Sequence, residues 1–201
     1  MSAAIAKGEP LSDKFILAFM ASPHEEGRTA RLLDTLLEPL EEAGAQIKVL
    51  YAYDEEITPC LACGYCKKHE ACKKHDFDEI DHLLRKADAI IVASPVYNLS
   101  FPSPMKAIID RTQRYFEARF ALNIRPPIAK PKTAAFLVTL GSGELEGPSI
   151  MEKQLKMCFS VMNTKLQHTV VWSHTDAGDY AFQDAAKQAE HVALAIQEEL
   201  C

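Results

Sequence analysis

Four of the six cysteines fall within a short stretch of the chain, at Cys60, Cys63, Cys66 and Cys72. In this C-x2-C-x2-C-x5-C spacing, three thiolates can wrap one face of an iron–sulfur cubane and a fourth nearby can close it. Structural zinc usually takes two ligand pairs with a longer spacer, although His69 and His75 lie close by. A loop of reduced thiols without metal is the third interpretation, and all three remain open here. Cys158 is expected to be a buried, inert thiol.

A second group of polar residues occupies the segment 21–29, ASPHEEGRT. Ser22 and Thr29 offer hydroxyls, His24 and Arg28 offer donors or positive charge, and Gly27 permits a close backbone approach. A helix is expected to begin here, and the free N–H groups of a helix start favour an anion. Neither a P-loop nor a G-x-G-x-x-G motif follows the first strand, which favours one phosphate over a dinucleotide. The alternative is an ordinary helix start capped by hydroxyl side chains.

Two further loops carry groups suited to a planar heterocycle. Pro95, Val96, Tyr97 and Asn98 combine a rigid turn, an aromatic face and amide groups, which can stack on a ring and meet its polar edge. The turn Gly141-Ser142-Gly143 has glycines that let the backbone approach a ligand closely. Either loop alone could be a simple turn. His174, Asp176 and Asp179 follow the last strand and are expected to form a solvated turn.

The apolar pattern of the chain predicts alternating strands and helices. Short apolar runs such as FILAFM and AIIVA are typical of strands buried on both faces, and leucines spaced by three and four residues predict helices. The predicted strands are 15–20, 46–51, 89–93, 132–140 and 166–172. The predicted helices are 29–43, 76–86, 104–120, 148–162 and 181–200. Such alternation indicates a parallel α/β sheet covered on both faces, with ligands at the carboxyl ends of its strands.

Composition narrows the class of protein. The chain has 201 residues, 48% of them hydrophobic, and a net charge of −6. This predicts one domain over residues 15–201, which contains a cysteine-rich insertion (the cysteine loop, residues 58–75) and follows a loose extension over residues 1–14. The acidic balance argues against nucleic-acid and membrane-surface partners. We expect no membrane helix and no secretory signal, and therefore a cytoplasmic protein.

Several segments together resemble the NAD(P)H-dependent FMN reductase and iron–sulfur flavoprotein group of the flavodoxin-like superfamily. They are SPHEEGRTARLL, ITPCLACGYCKKHEAC, ADAIIVASPVYNLSFPSPMKAIIDR and TLGSGE, which span most of residues 15–144. The resemblance implies a three-layer sandwich with a five-stranded parallel sheet in the order 2-1-3-4-5. It implies that Ser22, His24, Arg28 and Thr29 hold the FMN phosphate, in a cofactor-binding loop that also contains Gly27. Residues 95–98 and 141–143 would then border the isoalloxazine ring.

The same resemblance implies two functions that remain alternatives. One is an enzyme that uses NAD(P)H to reduce free flavin, a quinone or a similar acceptor. The other is an electron carrier that accepts electrons from a ferredoxin-like partner through a 4Fe–4S cluster on the four cysteines. A homodimer or homotetramer is implied in both cases. Lys106, Asp110 and Arg111 are expected to form a structural ion network. No residue is assigned as an acid, base or nucleophile, because the flavin performs the chemistry.

Overall fold

The computed structural model describes residues 11–179 and 181–201. Its five strands are β1 (Phe15–Met20), β2 (Gln46–Tyr51), β3 (Ala89–Pro95), β4 (Lys132–Thr139) and β5 (Thr164–Trp172). Its α-helices are α1 (Arg28–Glu42), α2 (Asp78–Lys86), α3 (Ser103–Arg111), α4 (Gln113–Phe120), α5 (Glu146–Ser160) and α6 (Phe182–Leu200). Short 3-10 helices cover Tyr65–Lys67, His75–Phe77 and Thr175–Ala177.

The strands form one parallel sheet in the order β2-β1-β3-β4-β5, which confirms the predicted flavodoxin-like topology. The chain first adds a strand to one side of β1 and then to the other. The connections out of β1 and β3 therefore leave the sheet in opposite directions, and a crevice opens at the carboxyl ends of these two strands.

Helices cover both faces of the sheet, so the domain has three layers. Ile16, Ile91 and Trp172 point to one face and pack with α1 and α6. Leu17 and Phe136 point to the other face and pack with α2, α3, α4 and α5. The three central strands are buried along almost their whole length, whereas the edge strands β2 and β5 are partly exposed. This burial explains why the central strands read as continuous apolar runs.

The helix predicted over residues 104–120 is instead two helices, α3 and α4, separated at Thr112. The Thr112 hydroxyl donates to the Ile109 carbonyl oxygen at 2.7 Å, and the Thr112 amide donates to the same oxygen at 3.1 Å. A threonine that bonds back to the preceding turn competes with regular helical hydrogen bonding. The break sets the direction of α4, which packs beside the cysteine loop.

The sequence predicts a loose N-terminal extension over residues 1–14, whereas the part of it that the structure describes, residues 11–14, packs on the domain. Leu11 is fully buried against α1 and α6, and its amide donates to the Ala43 carbonyl oxygen at 2.7 Å. Residues 11–14 therefore pack on the domain, and residues 1–10 lie outside the described residues. Among the described helices, none is long and apolar enough to span a membrane.

Candidate functional site

The loop between β1 and α1 forms a tight turn whose helix start has no side-chain cap. The His24 amide donates to Ser22 Oγ at 3.1 Å, and the Gly27 amide donates to the His24 carbonyl at 3.0 Å. Gly27 is the N-cap residue and provides no capping side chain. A Cβ atom at Gly27 would lie 2.9 Å from His24 Cβ, so the turn needs a glycine to close. The capping alternative from the sequence is therefore wrong for Ser22 and Thr29, and the first amides of α1 keep their affinity for an anion.

Thr29 is bonded to the neighbouring strand end rather than to its own helix. Its hydroxyl lies 2.7 Å from the hydroxyl of Thr139, the last residue of β4, and both side chains are buried. This bond fixes the start of α1 against the carboxyl end of the sheet. Either hydroxyl can be the donor in this bond, and Thr29 is free to donate to a ligand when Thr139 donates to it.

A pocket of about 360 Å³ opens at this edge of the sheet. It contains seven of the twelve residues predicted to bind the cofactor, namely Ser22, His24, Gly27, Arg28, Thr29, Pro95 and Tyr97. Its other lining residues are Glu26, Arg31, Thr175 and Asp179. Two loops that are distant in sequence therefore meet where the topology predicts a ligand site.

The charges of this pocket are paired through Asp179. Arg28 Nε donates to Asp179 Oδ1 at 2.9 Å, and Arg31 Nη1 donates to Asp179 Oδ2 at 2.9 Å. The hydrogen bond from Arg28 is the main reason why the pKa of Asp179 lies below its usual value. Arg31 also lies over the ring of Phe182, with its Cζ atom 3.5 Å from the ring centroid. Asp179 is exposed, as expected of a solvated turn, and it also orients two arginines beside the pocket, which the sequence did not predict.

The loop after β3 is a two-residue hairpin turn. Tyr97 and Ser100 exchange backbone hydrogen bonds of 2.9 Å, and Asn98 and Leu99 between them both adopt left-handed backbone angles, with φ of 50° and 62°. Asparagine tolerates this conformation, whereas leucine is strained in it. The turn exposes 42% of Tyr97 and 42% of Leu99, and so presents an aromatic and an aliphatic surface at the site.

Gly147, near the start of α5, lies directly against this hairpin turn. A Cβ atom at Gly147 would lie 2.7 Å from Val96 Cγ1 and 3.5 Å from the Leu99 Cα atom. The absence of a side chain at Gly147 therefore allows α5 to approach the turn closely.

The glycine turn after β4 packs against the residues that follow β5. The carbonyl oxygens of residues 140–142 accept the amides of residues 174–176 at 3.0–3.4 Å. A Cβ atom at Gly141 would overlap the Asp176 carboxylate, and one at Gly143 would overlap the His174 ring. These glycines therefore leave room for side chains of the protein itself. The sequence had predicted a different reason for them, namely the close approach of a ligand. Val96, Asn98, Gly141, Ser142 and Gly143 do not line the 360 Å³ pocket, and their contact with the flavin remains a prediction.

The cysteine loop surrounds a separate cavity of about 590 Å³. All four cysteines line it, with Lys67, Lys73, Lys74 and Arg111 among the other lining residues. The thiols are free; those of Cys60 and Cys63 are exposed, and those of Cys66 and Cys72 are partly buried. Burial raises the pKa of the Cys66 thiol, and Glu117 and then the thiols of Cys72 and Cys60 raise it further. Within residues 11–179 and 181–201, no three His, Cys, Asp or Glu side chains converge on one metal position.

The predicted ion network on α3 is present only in part. Lys106 and Asp110 form an ion pair of 2.6 Å on the exposed side of the helix. Arg111 instead pairs at 2.7 Å with Asp76, the residue that directly follows the cysteine loop. The hydrogen bond from Arg111 is the main reason why the pKa of Asp76 is held far below its usual range. Burial lowers the pKa of Arg111, but Asp76 and the adjacent Cys72 thiol raise it overall.

The fold is that of a flavodoxin-like α/β protein, with a pocket at the switch point of its sheet. Residues 15–177 match the family model described as NADPH-dependent FMN reductase, so the chain belongs to this family. An iron–sulfur flavoprotein of Archaeoglobus fulgidus is 35% identical over 100 residues, which cover 49% of this chain and 46% of that protein. The chain spans about half the length of the curated iron–sulfur flavoproteins it matches.

Two other similarities cover more of the chain. The FMN-dependent NADH:quinone oxidoreductase 2 of Clostridium acetobutylicum is 26% identical over 172 residues, which cover 78% of this chain and 83% of that protein. The structure of an NAD(P)H:quinone oxidoreductase from Methanothermobacter marburgensis superposes with a TM-score of 0.71 at 19% identity, covering 90% of this chain and 97% of that one. At this identity the superposition establishes the fold.

Proposed function

We propose that the chain is an FMN-dependent oxidoreductase that uses NAD(P)H to reduce a flavin, a quinone or a similar small acceptor. The observation that carries the proposal is the pocket beside the uncapped start of α1. Its free amides, the hydroxyls of Ser22 and Thr29, and the guanidinium groups of Arg28 and Arg31 form a donor set for one phosphate. Membership of the FMN reductase family supports the choice of FMN as the phosphate-bearing ligand.

Bound FMN would supply the redox chemistry, because a flavin accepts hydride from a nicotinamide and passes the electrons on. The residues of this chain bind and orient it. Tyr97 and Leu99 offer an exposed apolar surface for the ring, and the strained hairpin turn holds that surface in place. Val96, Asn98 and the turn at residues 141–143 are proposed to complete the ring site from the same edge of the sheet.

Flavin binding provides the first test. Wild-type protein should bind FMN much more tightly than riboflavin, which lacks the phosphate. Arg28→Gln should weaken FMN binding about tenfold to a hundredfold, since a hydrogen bond to a charged group contributes ~1.5–3 kcal/mol. Riboflavin binding should be unchanged. Lys165→Gln, an exposed residue of β5, is the control. Equal affinity of the wild type for FMN and riboflavin would contradict the phosphate site.

Turnover provides the second test. The FMN-loaded protein should oxidise NADH or NADPH in the presence of FMN or a quinone, followed by the loss of nicotinamide absorbance. Brisk steady-state oxidation would exclude a pure electron carrier. Absence of turnover with every acceptor, in protein that is fully loaded with FMN, would refute the reductase.

A second candidate function is that of an iron–sulfur flavoprotein that exchanges electrons with a ferredoxin-like partner. The observation in its favour is that Cys60, Cys63, Cys66 and Cys72 line one cavity together with cationic side chains. Thiolates and positive charges suit an anionic cluster, and the cavity is larger than a single ion needs. The four cysteines would then be the cluster ligands. Anaerobic purification with iron, sulfide and zinc analysis tests this, since stoichiometric zinc or no metal would exclude the cluster.

We also propose that the chain acts as a homodimer or homotetramer in the cytoplasm. In support, several large apolar side chains are exposed, among them Leu61, Phe120, Leu145 and Met157, each at 55% or more. Phe120 also packs beside Phe116, which is exposed as well, with their ring centroids 4.5 Å apart, and adjacent exposed apolar groups are what association surfaces present. Light scattering coupled to size-exclusion chromatography would measure the subunit number, and a monomer at micromolar concentration would refute the assembly.

A further inference from the structure

One carboxylate of the protein bridges the two arginines of the 360 Å³ pocket. Asp179 Oδ1 accepts a hydrogen bond from Arg28 Nε at 2.9 Å, and Asp179 Oδ2 accepts one from Arg31 Nη1 at 2.9 Å. Each carboxylate oxygen therefore takes one guanidinium group, which is how the oxygens of a bound phosphate would also use them. The arginine pair thus already holds an anion, and the protein itself supplies it.

One of the two arginines keeps a support that does not depend on Asp179. The Arg31 guanidinium lies on the ring of Phe182, with its Cζ atom 3.5 Å from the ring centroid, and such stacking holds a guanidinium group in place. The Arg31 and Asp179 side chains are 47% and 48% exposed. Ion pairs between exposed side chains contribute little, because water competes for both partners. The arginines can therefore exchange Asp179 for another anion at small cost.

Asp179 can release the arginines without any movement of the main chain around it. The amides of residues 174–176 are bound to the glycine turn after β4, and the Phe182 amide donates to the Asp179 carbonyl oxygen at 2.9 Å. The exposed carboxylate needs only rotation about its own side-chain bonds to turn from the pocket into solvent. Its displacement is therefore a local event, and the backbone of the pocket stays as it is.

A phosphate and the Asp179 carboxylate cannot share the arginine pair. Two anions at hydrogen-bond distance from the same guanidinium groups repel each other, so one of them has to leave. A phosphate gains further hydrogen bonds from the hydroxyls of Ser22 and Thr29 and from the uncapped amides of α1. A small carboxylate offers only two oxygens and one charge, as Asp179 already does. An incoming phosphate monoester therefore displaces Asp179 more readily than a carboxylate ligand.

We propose that Asp179 is a specificity-determining residue, which occupies the phosphate position as a competing internal anion until the FMN phosphate displaces it. The inference rests on the FMN site proposed above. Only hydrogen bonds are exchanged: the donors Arg28 Nε and Arg31 Nη1 pass from Asp179 to the phosphate, and Asp179 turns to water. The competition lowers the affinity for every anion, so phosphate monoesters are retained and small carboxylates are rejected.

The test is a fluorescence titration of flavin-depleted protein with FMN and with riboflavin. Asp179→Asn should bind FMN about threefold to thirtyfold more tightly than the wild type, because it removes the competitor and two exposed ion pairs, and riboflavin binding should not change. Glu26→Gln is the matched control: Glu26 lines the same pocket but pairs with neither arginine within the described residues, and its gain should be far smaller. Asp179→Glu keeps the anion and should stay close to the wild type.

Chemical rescue separates competition from a merely structural role. Acetate, added at constant ionic strength, should weaken FMN binding by Asp179→Asn because it replaces the missing carboxylate, and should affect the wild type far less. If Asp179 only orients the arginines, Asp179→Asn should bind FMN more weakly. That result would overturn the inference, as would equal gains in Asp179→Asn and Glu26→Gln or an equal acetate effect on both proteins.

The two flavins also separate this inference from the site on which it rests. A wild type that binds FMN and riboflavin equally well would refute the phosphate site and the role of Asp179 together. A wild type that prefers FMN, with an FMN affinity that Asp179→Asn leaves unchanged, would refute the role of Asp179 alone.

Discussion

Lys132 gives the sharpest prediction about stability. It is a buried amine at the amino-terminal end of β4, opposite the carboxyl ends of the strands where the candidate site lies. It begins β4, and its side chain donates to the carbonyl oxygens of Lys130 at 2.8 Å and Met162 at 3.2 Å. Burial is the main cause that lowers its pKa from 10.5 to about 8; Lys130 and Arg85 add to the effect and Asp88 opposes it.

The sign of the pH dependence follows from this shift. Between pH 8 and pH 10.5 the unfolded chain keeps the Lys132 proton and the folded chain has lost it, so the free energy of unfolding rises with pH. The difference between the pKa of Lys132 in the unfolded and the folded chain destabilises the folded state at low pH by about 3 kcal/mol, at ~1.4 kcal/mol per pKa unit. Roughly 2.5 kcal/mol of this is recovered between about pH 7 and pH 10, because the unfolded form is still partly protonated at the upper limit.

The perturbation is Lys132→Met, which removes the titrating group and keeps a side chain of similar length. Urea denaturation followed by circular dichroism at several pH values gives the free energy of unfolding of both proteins. The free energy of unfolding of Lys132→Met minus that of the wild type should fall by roughly 2.5 kcal/mol from about pH 7 to pH 10. Lys165→Met, exposed on β5, is the matched control and should show no such trend. A difference between Lys132→Met and the wild type that stays constant with pH would refute the reasoning.

Three further predictions concern the residues that shape the pocket. Thr139→Val should lower the free energy of unfolding by ~1–3 kcal/mol because it leaves the buried Thr29 hydroxyl unpaired, and the double variant with Thr29→Val should cost less than the sum of the singles; additive costs would contradict the bond. Leu99→Gly should raise the free energy of unfolding by about 0.5–1 kcal/mol by relieving the left-handed strain, and a loss in urea denaturation would contradict it. Gly147→Ala should cost ~1–3 kcal/mol and weaken FMN binding through the clash with Val96, measured by denaturation and fluorescence titration; an unaffected protein would show that α5 can shift freely.

The sequence was sufficient to predict the strands of the sheet and the loop on one side of the site, because both depend on local patterns of residues. Uninterrupted apolar runs define β1, β3 and β4, and the segment 22–29 shows its hydroxyl and cationic groups directly. The break at Thr112 was not predicted, because the apolar spacing continues through it and the competing hydrogen bond is visible only in the structure.

The contacts that sequence reasoning missed join residues far apart in the chain. Asp179 meets Arg28 and Arg31 only because β5 ends next to the start of α1 at the shared edge of the sheet, and no local pattern marks that pairing. Arg111 follows the cysteine loop by more than thirty residues, yet it binds both ends of that loop. Its position in the segment AIIDR suggested one structural ion network with Lys106 and Asp110, whereas in the structure Arg111 is buried and pairs with Asp76 instead.

The sharing of Asp179 by two arginines also has a kinetic consequence. The formal charges of Arg28 and Arg31 are balanced by those of Asp179 and Glu26, which line the same pocket, and the chain as a whole is acidic. An approaching phosphate therefore meets little long-range attraction, so its association should be slower than for an electrostatically steered ligand and only weakly dependent on ionic strength. Selectivity for a phosphorylated flavin would arise after contact, through the short-range amides of α1, and would be expressed mainly in the dissociation rate.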